Sequence, residues 1–157
     1  MVRAIPEGMH SITPHLLVDG AAKAIEFYKD VFGAELVRPT STTPDGKVMH
    51  AHLKIGDSHL MMADYAFPRP GMGSPQSLGG TPVVLTLYVP DVDATWKKAT
   101  DAGAKPLVPL ANQFWGDRYG IVQDPFGHMW ALATHIEDLT QKEIEERMNS
   151  VFAHAGQ

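Results

Sequence analysis

Cysteine is absent from all 157 residues, which excludes disulfides, thiolate metal sites, thiol nucleophiles and redox switches, and makes a reducing compartment the simplest setting. No apolar run approaches the length of a membrane span, and the opening MVRAIPEGMH has no hydrophobic core of signal-peptide length. A soluble, cytoplasmic protein with no membrane partner is therefore expected. An excess of positive charge is missing too: 13 basic against 18 acidic residues give a formal charge of −5. With no Lys/Arg cluster to neutralise phosphates, no nucleic-acid partner is expected. The chain also lacks a Ser-His-Asp order, a nucleophile elbow and a phosphate loop, so nucleophilic and phosphoryl-transfer chemistry have no visible apparatus.

What is present is ample apolar content, 44% of residues, enough for one compact domain or two half-size modules. Residues 11–18 (SITPHLLV) read as a strand, followed by a helix over 21–32 in which Ala21, Ala24, Ile25, Tyr28 and Phe32 share one face and Gly33 supplies the stop. Three strands follow at 36–39, 48–55 and 58–63, the last two joined by Gly56-Asp57. The same order recurs from residue 83: a strand to 89, Asp91 as N-cap, a helix turning Val92, Trp96 and Ala99 inward, then apolar segments around Leu107, at 119–123 and at 128–134. The organisation predicted is a first βαβββ module over 9–64, a second over 81–136 and a C-terminal helix over 137–157. Between the modules, 65–80 (YAFPRPGMGSPQSLGG) is too rich in Pro and Gly for helix or strand and reads as a linker or a lid. In the tail, Thr140 and Glu143 form a capping box, Leu139 and Ile144 a staple, and Ile144, Met148, Val151 and Phe152 an apolar stripe that must cover the domain or a partner subunit.

The densest chemistry lies at 114–130, FWGDRYGIVQDPFGHMW. Trp115 and Tyr119 bring large apolar surface with polar tips, and either stack on a planar ligand or pack under the loop as core. Arg118 brings a five-donor fork, which either clamps an anion or pairs with Asp117 or Asp124. Trp130 is expected in the core. Eight histidines are a high count for this length, and imidazole is the commonest metal ligand at neutral pH.

The two βαβββ modules, the helix ending FYKDVFGAEL, the strand pair HAHLKIGDSHLMMAD and the closing DPFGHMWAL together resemble the vicinal-oxygen-chelate superfamily. This is the glyoxalase, bleomycin-resistance and dioxygenase group, and the closer likeness is to its PhnB-like branch. That resemblance implies an α+β fold whose modules curl mixed sheets into a cup, and a homodimer. In the family's metalloenzymes a ligand stands on the first and last strand of each module, and the metal acts as a Lewis acid on two substrate oxygens. The matching positions here are Thr13, Met61, Val84 and Ala131, none a competent ligand in that role, so no metal is expected at them. A quinone methyltransferase activity, another label on this branch, is not expected, since VDGAA before the first helix is no glycine-rich cofactor loop.

Strand alternation puts His15 on the side of Thr13 and His59 on the side of Met61, and makes His50 and His52 a second pair. Two readings result. In the first, the protein binds a small aromatic or amphipathic molecule without a metal, through His15, His59, Met61, Trp115, Arg118 and Tyr119. In the second, it is a lyase, isomerase or dioxygenase that holds a divalent transition metal on relocated ligands His15, His52 and His59.

Overall fold

The computed structural model describes residues 2–64 and 70–155. The part of the expected connection at 65–69 and the last two residues of the expected tail helix lie outside them. Close backbone contacts divide the chain into two units, one of residues 1–82 with 125–128 and one of 83–124 with 129–157. Each unit repeats a strand, a helix and a sheet, as the α+β reading requires.

The first unit runs β1 (His15–Val18), α1 (Ala21–Phe32), β2 (Glu35–Leu36), β3 (Ser41–Thr42), β4 (Val48–Ile55), β5 (Ser58–Asp64) and a short α2 (Pro75–Leu78). Its sheet has the order β1-β5-β4-β2, with β3 also on β4; β1 is parallel to β5, and β4 and β5 form an antiparallel hairpin. The apolar face predicted for α1 is buried in full and is extended by Phe27 and Val31. Gly33, at φ 67°, closes the helix, its N–H bonded to Lys29 O and that of Ala34 to Tyr28 O, which satisfies two of the last carbonyls. The other end has Gly20 at the cap and therefore no local side-chain acceptor. Asp64 replaces it from the end of β5: Oδ1 accepts the N–H groups of Gly20 (2.9 Å) and Ala21 (2.8 Å), and Oδ2 accepts that of Val48 (2.8 Å).

Besides the tail helix, which begins at Gln141 and not at 137, three features of the first unit differ from expectation, each at a proline. Strand 11–18 begins only at His15: Pro14 still accepts from Met61 N–H at 2.9 Å but has no N–H to return. Of the expected strand 36–39 only Leu36 lies in a strand, the end of β2; Pro39 interrupts the ladder on β4, and pairing resumes beyond it at Ser41, in β3, with a shifted register. The connection holds a helix, α2, where none was expected. Ser74 caps it by accepting from Ser77 N–H, and Pro75 stands at its start, where a missing N–H is no loss. Ser74 also donates to Asp19 Oδ2 (2.7 Å) and Gln76 Nε2 to Pro125 O (3.0 Å). Phe126 packs edge-on against Phe27 and Tyr28, so residues 125–128 complete the core of this unit.

The second unit follows the predicted order: β6 (Val84–Tyr88), α3 (Val92–Asp101), β7 (Lys105–Asn112), β8 (Asp117–Gln123), β9 (Met129–His135) and α4 (Gln141–Ala155). The sheet order is β6-β9-β8-β7, with β6 parallel to β9. Asp91 caps α3 through Ala94 N–H, and Val92 and Ala99 are buried while Trp96 is half-buried. Trp96 lies over Gly120, where a Cβ would come within 2.6 Å of its ring and 3.0 Å of the Leu110 backbone. Trp130 is core, its indole N–H on Asp124 Oδ2 at 2.9 Å. The predicted capping box forms reciprocally: Thr140 N–H donates to Glu143 Oε2 and Glu143 N–H to Thr140 Oγ1. Along α4, Ile144 and Met148 are half-buried and Val151 and Phe152 exposed. No helix among the described residues is long and apolar enough to cross a membrane.

Candidate functional site

Successive strand residues face opposite sides of a sheet. In the first unit α1 packs on the side carrying Leu16, Val18, Leu53, Leu60 and Met62. The side opposite α1 carries a cross-strand row in which Met61 pairs with His15 on β1 and with His52 on β4. His59, two residues before Met61, and His50, two before His52, extend it. The His15 and His50 rings meet edge-on at 6.2 Å, and those of His52 and His59 lie 4.9 Å apart with Nε2 of His52 at 2.8 Å from Nδ1 of His59. His52 is only 2% exposed, and its Nδ1 is met by Arg38 Nη2 at 3.3 Å. Burial first, and then His59, Arg38 and His50, hold the His52 imidazole below its ordinary pKa.

His15, His59 and Met61 thus share one face, as strand alternation predicted. The relocated ligand set is not assembled: among the described residues no three His, Asp or Glu side chains converge as ligands would, so His15 does not join the His52–His59 pair. The four family positions offer a hydroxyl, a thioether and two hydrocarbons, with Ala131 fully buried. That donor set does not fit a divalent metal of the kind the resemblance implies.

In the second unit α3 covers the side of the sheet that carries Gly120, Val122 and Leu132. The opposite side centres on Asp117, which pairs across strands with His135 and is 4% exposed. Its carboxylate accepts three side-chain bonds, from Tyr88 Oη (2.8 Å), Trp115 Nε1 (3.0 Å) and His135 Nδ1 (2.8 Å). Burial alone raises such a carboxyl, but the bonds from His135, Tyr88 and Trp115 outweigh it and hold Asp117 below the usual range. In return, the bonds to Asp117 and then to Asp138 push the His135 imidazole up, and the bond to Asp117 raises the Tyr88 phenol. Gly116 makes the arrangement possible: at φ 98°, a Cβ there would lie 2.3 Å from Glu137 O, and its own carbonyl accepts from Ile136 and Glu137 N–H.

Trp115 lies edge-on to both Phe114 (5.0 Å) and Tyr119 (5.3 Å), the last on the side of the sheet opposite α3. Arg118 does not join them. One residue from Tyr119 along β8, it faces the helix side, where Asp93 of α3 takes its guanidinium bidentately at 2.7 Å twice and Asn112 Oδ1 accepts a third bond at 3.1 Å. Neither Asp117 nor Asp124, the partners considered from the sequence, is the one it uses. Arg38, Tyr88, Asp117 as a hub and His135 were not singled out by the sequence. The Asp117–His135 pairing needs the β8–β9 register, which no short motif encodes.

A family model described as the Glyoxalase/Bleomycin resistance protein/Dioxygenase superfamily matches residues 8–132. Mb0911c of Mycobacterium bovis, described only as an uncharacterized protein, is 46% identical over 143 residues, 89% of this chain and 93% of its own length. Among solved structures, the Arabidopsis thaliana gene product At5g48480 is 31% identical with a TM-score of 0.64, over 80% of this chain and 98% of the other. The PhnB protein from Bacillus cereus shares the fold at 22% identity and a TM-score of 0.64, over 80% of this chain and 99% of its own.

Proposed function

We propose that this chain, which belongs to the glyoxalase/bleomycin resistance protein/dioxygenase superfamily, binds a small aromatic or amphipathic molecule and holds no resident metal. The observation that carries the reading is the donor set. The side chains matched to the family's metal positions, Thr13, Met61, Val84 and Ala131, include no imidazole and no carboxylate, while the face of the first sheet opposite α1 presents His15, Met61 and His59. Imidazole and thioether side by side make an adaptable surface with a few polar anchors, the composition of a binding pocket. On the second unit, Trp115 and Tyr119 offer aromatic surface on the side opposite α3. Arg118 is committed to Asp93 and takes no part in that surface. The family's homodimer and a cytoplasmic setting belong to the same reading; sedimentation of the purified protein checks the first.

The test is a thermal-shift and calorimetric screen against aromatic carboxylates such as benzoate, salicylate and indole-3-acetate, in the presence of a chelator. Binding that survives chelation and is lost in His59→Ala supports the reading. Binding or turnover that vanishes on chelation and returns with a stoichiometric divalent metal overturns it.

A further inference from the structure

The His52–His59 pair has a direction, and a single side chain sets it. A guanidinium has five N–H donors and no acceptor, so Arg38 Nη2, 3.3 Å from His52 Nδ1, can only donate to it. Nδ1 of His52 must then carry a lone pair, and the proton of this neutral ring sits on Nε2. That Nε2–H points at His59 Nδ1, 2.8 Å away, which must be an acceptor in its turn. The second ring is left with its proton on Nε2, and no side chain or backbone group among the described residues meets that atom. His59 therefore shows the face of the sheet an N–H.

We infer that Arg38 is a specificity-determining residue, which by fixing this relay makes His59 a hydrogen-bond donor selective for an anionic or carbonyl oxygen and unable to ligate a metal. Metal ligation through His59 Nε2 needs a lone pair there, hence a proton on Nδ1 facing His52, a proton on His52 Nδ1, and so a donor facing the donor of Arg38. The relay excludes that chain of tautomers at its first step. The ligand class that fits is a carboxylate, phenolate, enolate or ketone, whose oxygen accepts from Nε2–H. A ligand amine or other donor has nothing to bond at this atom. The inference rests on the binding reading above for the presence of a ligand, and on the two distances alone for the direction of the relay.

The experiment needs no ligand: long-range proton–nitrogen NMR correlation of the imidazoles in the full-length protein at neutral pH. In the wild type, Nε2 of both His52 and His59 is expected to resonate as a protonated nitrogen and Nδ1 of both as an unprotonated one. Arg38→Glu replaces the donor by an acceptor and is expected to exchange the two resonance types in both rings. Arg38→Lys keeps a donor and is expected to preserve the wild-type pattern. Nickel(II) should broaden His59 selectively in Arg38→Glu and leave it sharp in the wild type. A wild-type His59 protonated on Nδ1, an unaltered pattern in Arg38→Glu, or selective nickel broadening of wild-type His59 overturns the inference. Failure of the carboxylates to bind a protein with the expected resonances strikes the binding reading instead. Arg38 is exposed, so these variants leave the core intact.

Discussion

Replacing Asp64 by Ala is expected to destabilise the first unit by an amount that can be worked from its three bonds. The bonds to Gly20 and Ala21 N–H stand in for an N-cap, and losing a cap costs about 1 kcal/mol. The bond to Val48 N–H differs in kind, because Val48 is 3% exposed and its amide would lose its partner away from water, at about 1–3 kcal/mol. The sum is about 2–4 kcal/mol. For a chain of this length each kcal/mol lowers the midpoint by about 2–4 °C, so a loss of roughly 10 °C is expected in thermal melts followed by far-UV circular dichroism. Asp64→Asn is the informative control. Its amide oxygen still serves Gly20 and Ala21, while its NH₂ group faces the Val48 N–H, donor against donor, so half or more of the loss should remain. Hydrogen exchange should show the first turn of α1 opening early in the Ala variant only. An Ala variant melting within 2 °C of the wild type would refute the account of α1 as a helix capped from β5.

Two further predictions concern the second unit. The pH dependence of stability carries the signature of the Asp117–His135 pair. A raised imidazole pKa adds stability that is fully present below the ordinary value of 6.5 and fades as pH rises through the raised one; the depressed carboxylate adds stability that is present above 3.8 and fades as pH falls through its own. Stability from the pair is therefore greatest between the two, and Asp117→Asn should flatten the curve across that window and return the His135 titration, followed by NMR, toward 6.5; an unmoved His135 would count against the hydrogen bond as the cause. Gly120→Ala should destabilise markedly, since its Cβ meets the Leu110 backbone at 3.0 Å as well as the Trp96 ring; urea denaturation equal to wild type would show that β7 yields without cost.

Much of the fold was legible because it is carried by local signals. The α1 stripe, Gly33, Asp91 and the T-x-x-E box each act within one turn of chain, and each is found where it was expected. The misreadings cluster at Pro14, Pro39 and Pro75, where one missing N–H acts oppositely according to what stands beside it: it ends a ladder in the first two and begins a helix in the third. Part of the candidate site was legible too. His15, His59 and Met61 share a face for the reason given by strand alternation, whereas Arg118 stands next to Tyr119 in sequence yet turns to Asp93, because adjacent strand residues point apart. Asp117 with Tyr88 and His135, and Arg38 with His52, are joined over separations of 14 to 29 residues. Those contacts depend on register and loop path, which no local pattern records.

The place of residues 125–128 has a consequence for anyone cutting this chain. The internal repeat suggests a boundary near residue 82, yet Phe126 completes the aromatic cluster of Phe27 and Tyr28, and the Pro125 carbonyl receives Gln76. An N-terminal fragment ending at the repeat boundary lacks one ring of its own core, and the complementary fragment carries Phe126 with no cluster to enter. A cut at residue 82 is therefore expected to cost the first unit the packing of Phe126 and the bond from Gln76. The unit that begins the chain is closed by residues 125–128, well past the boundary that the sequence repeat marks.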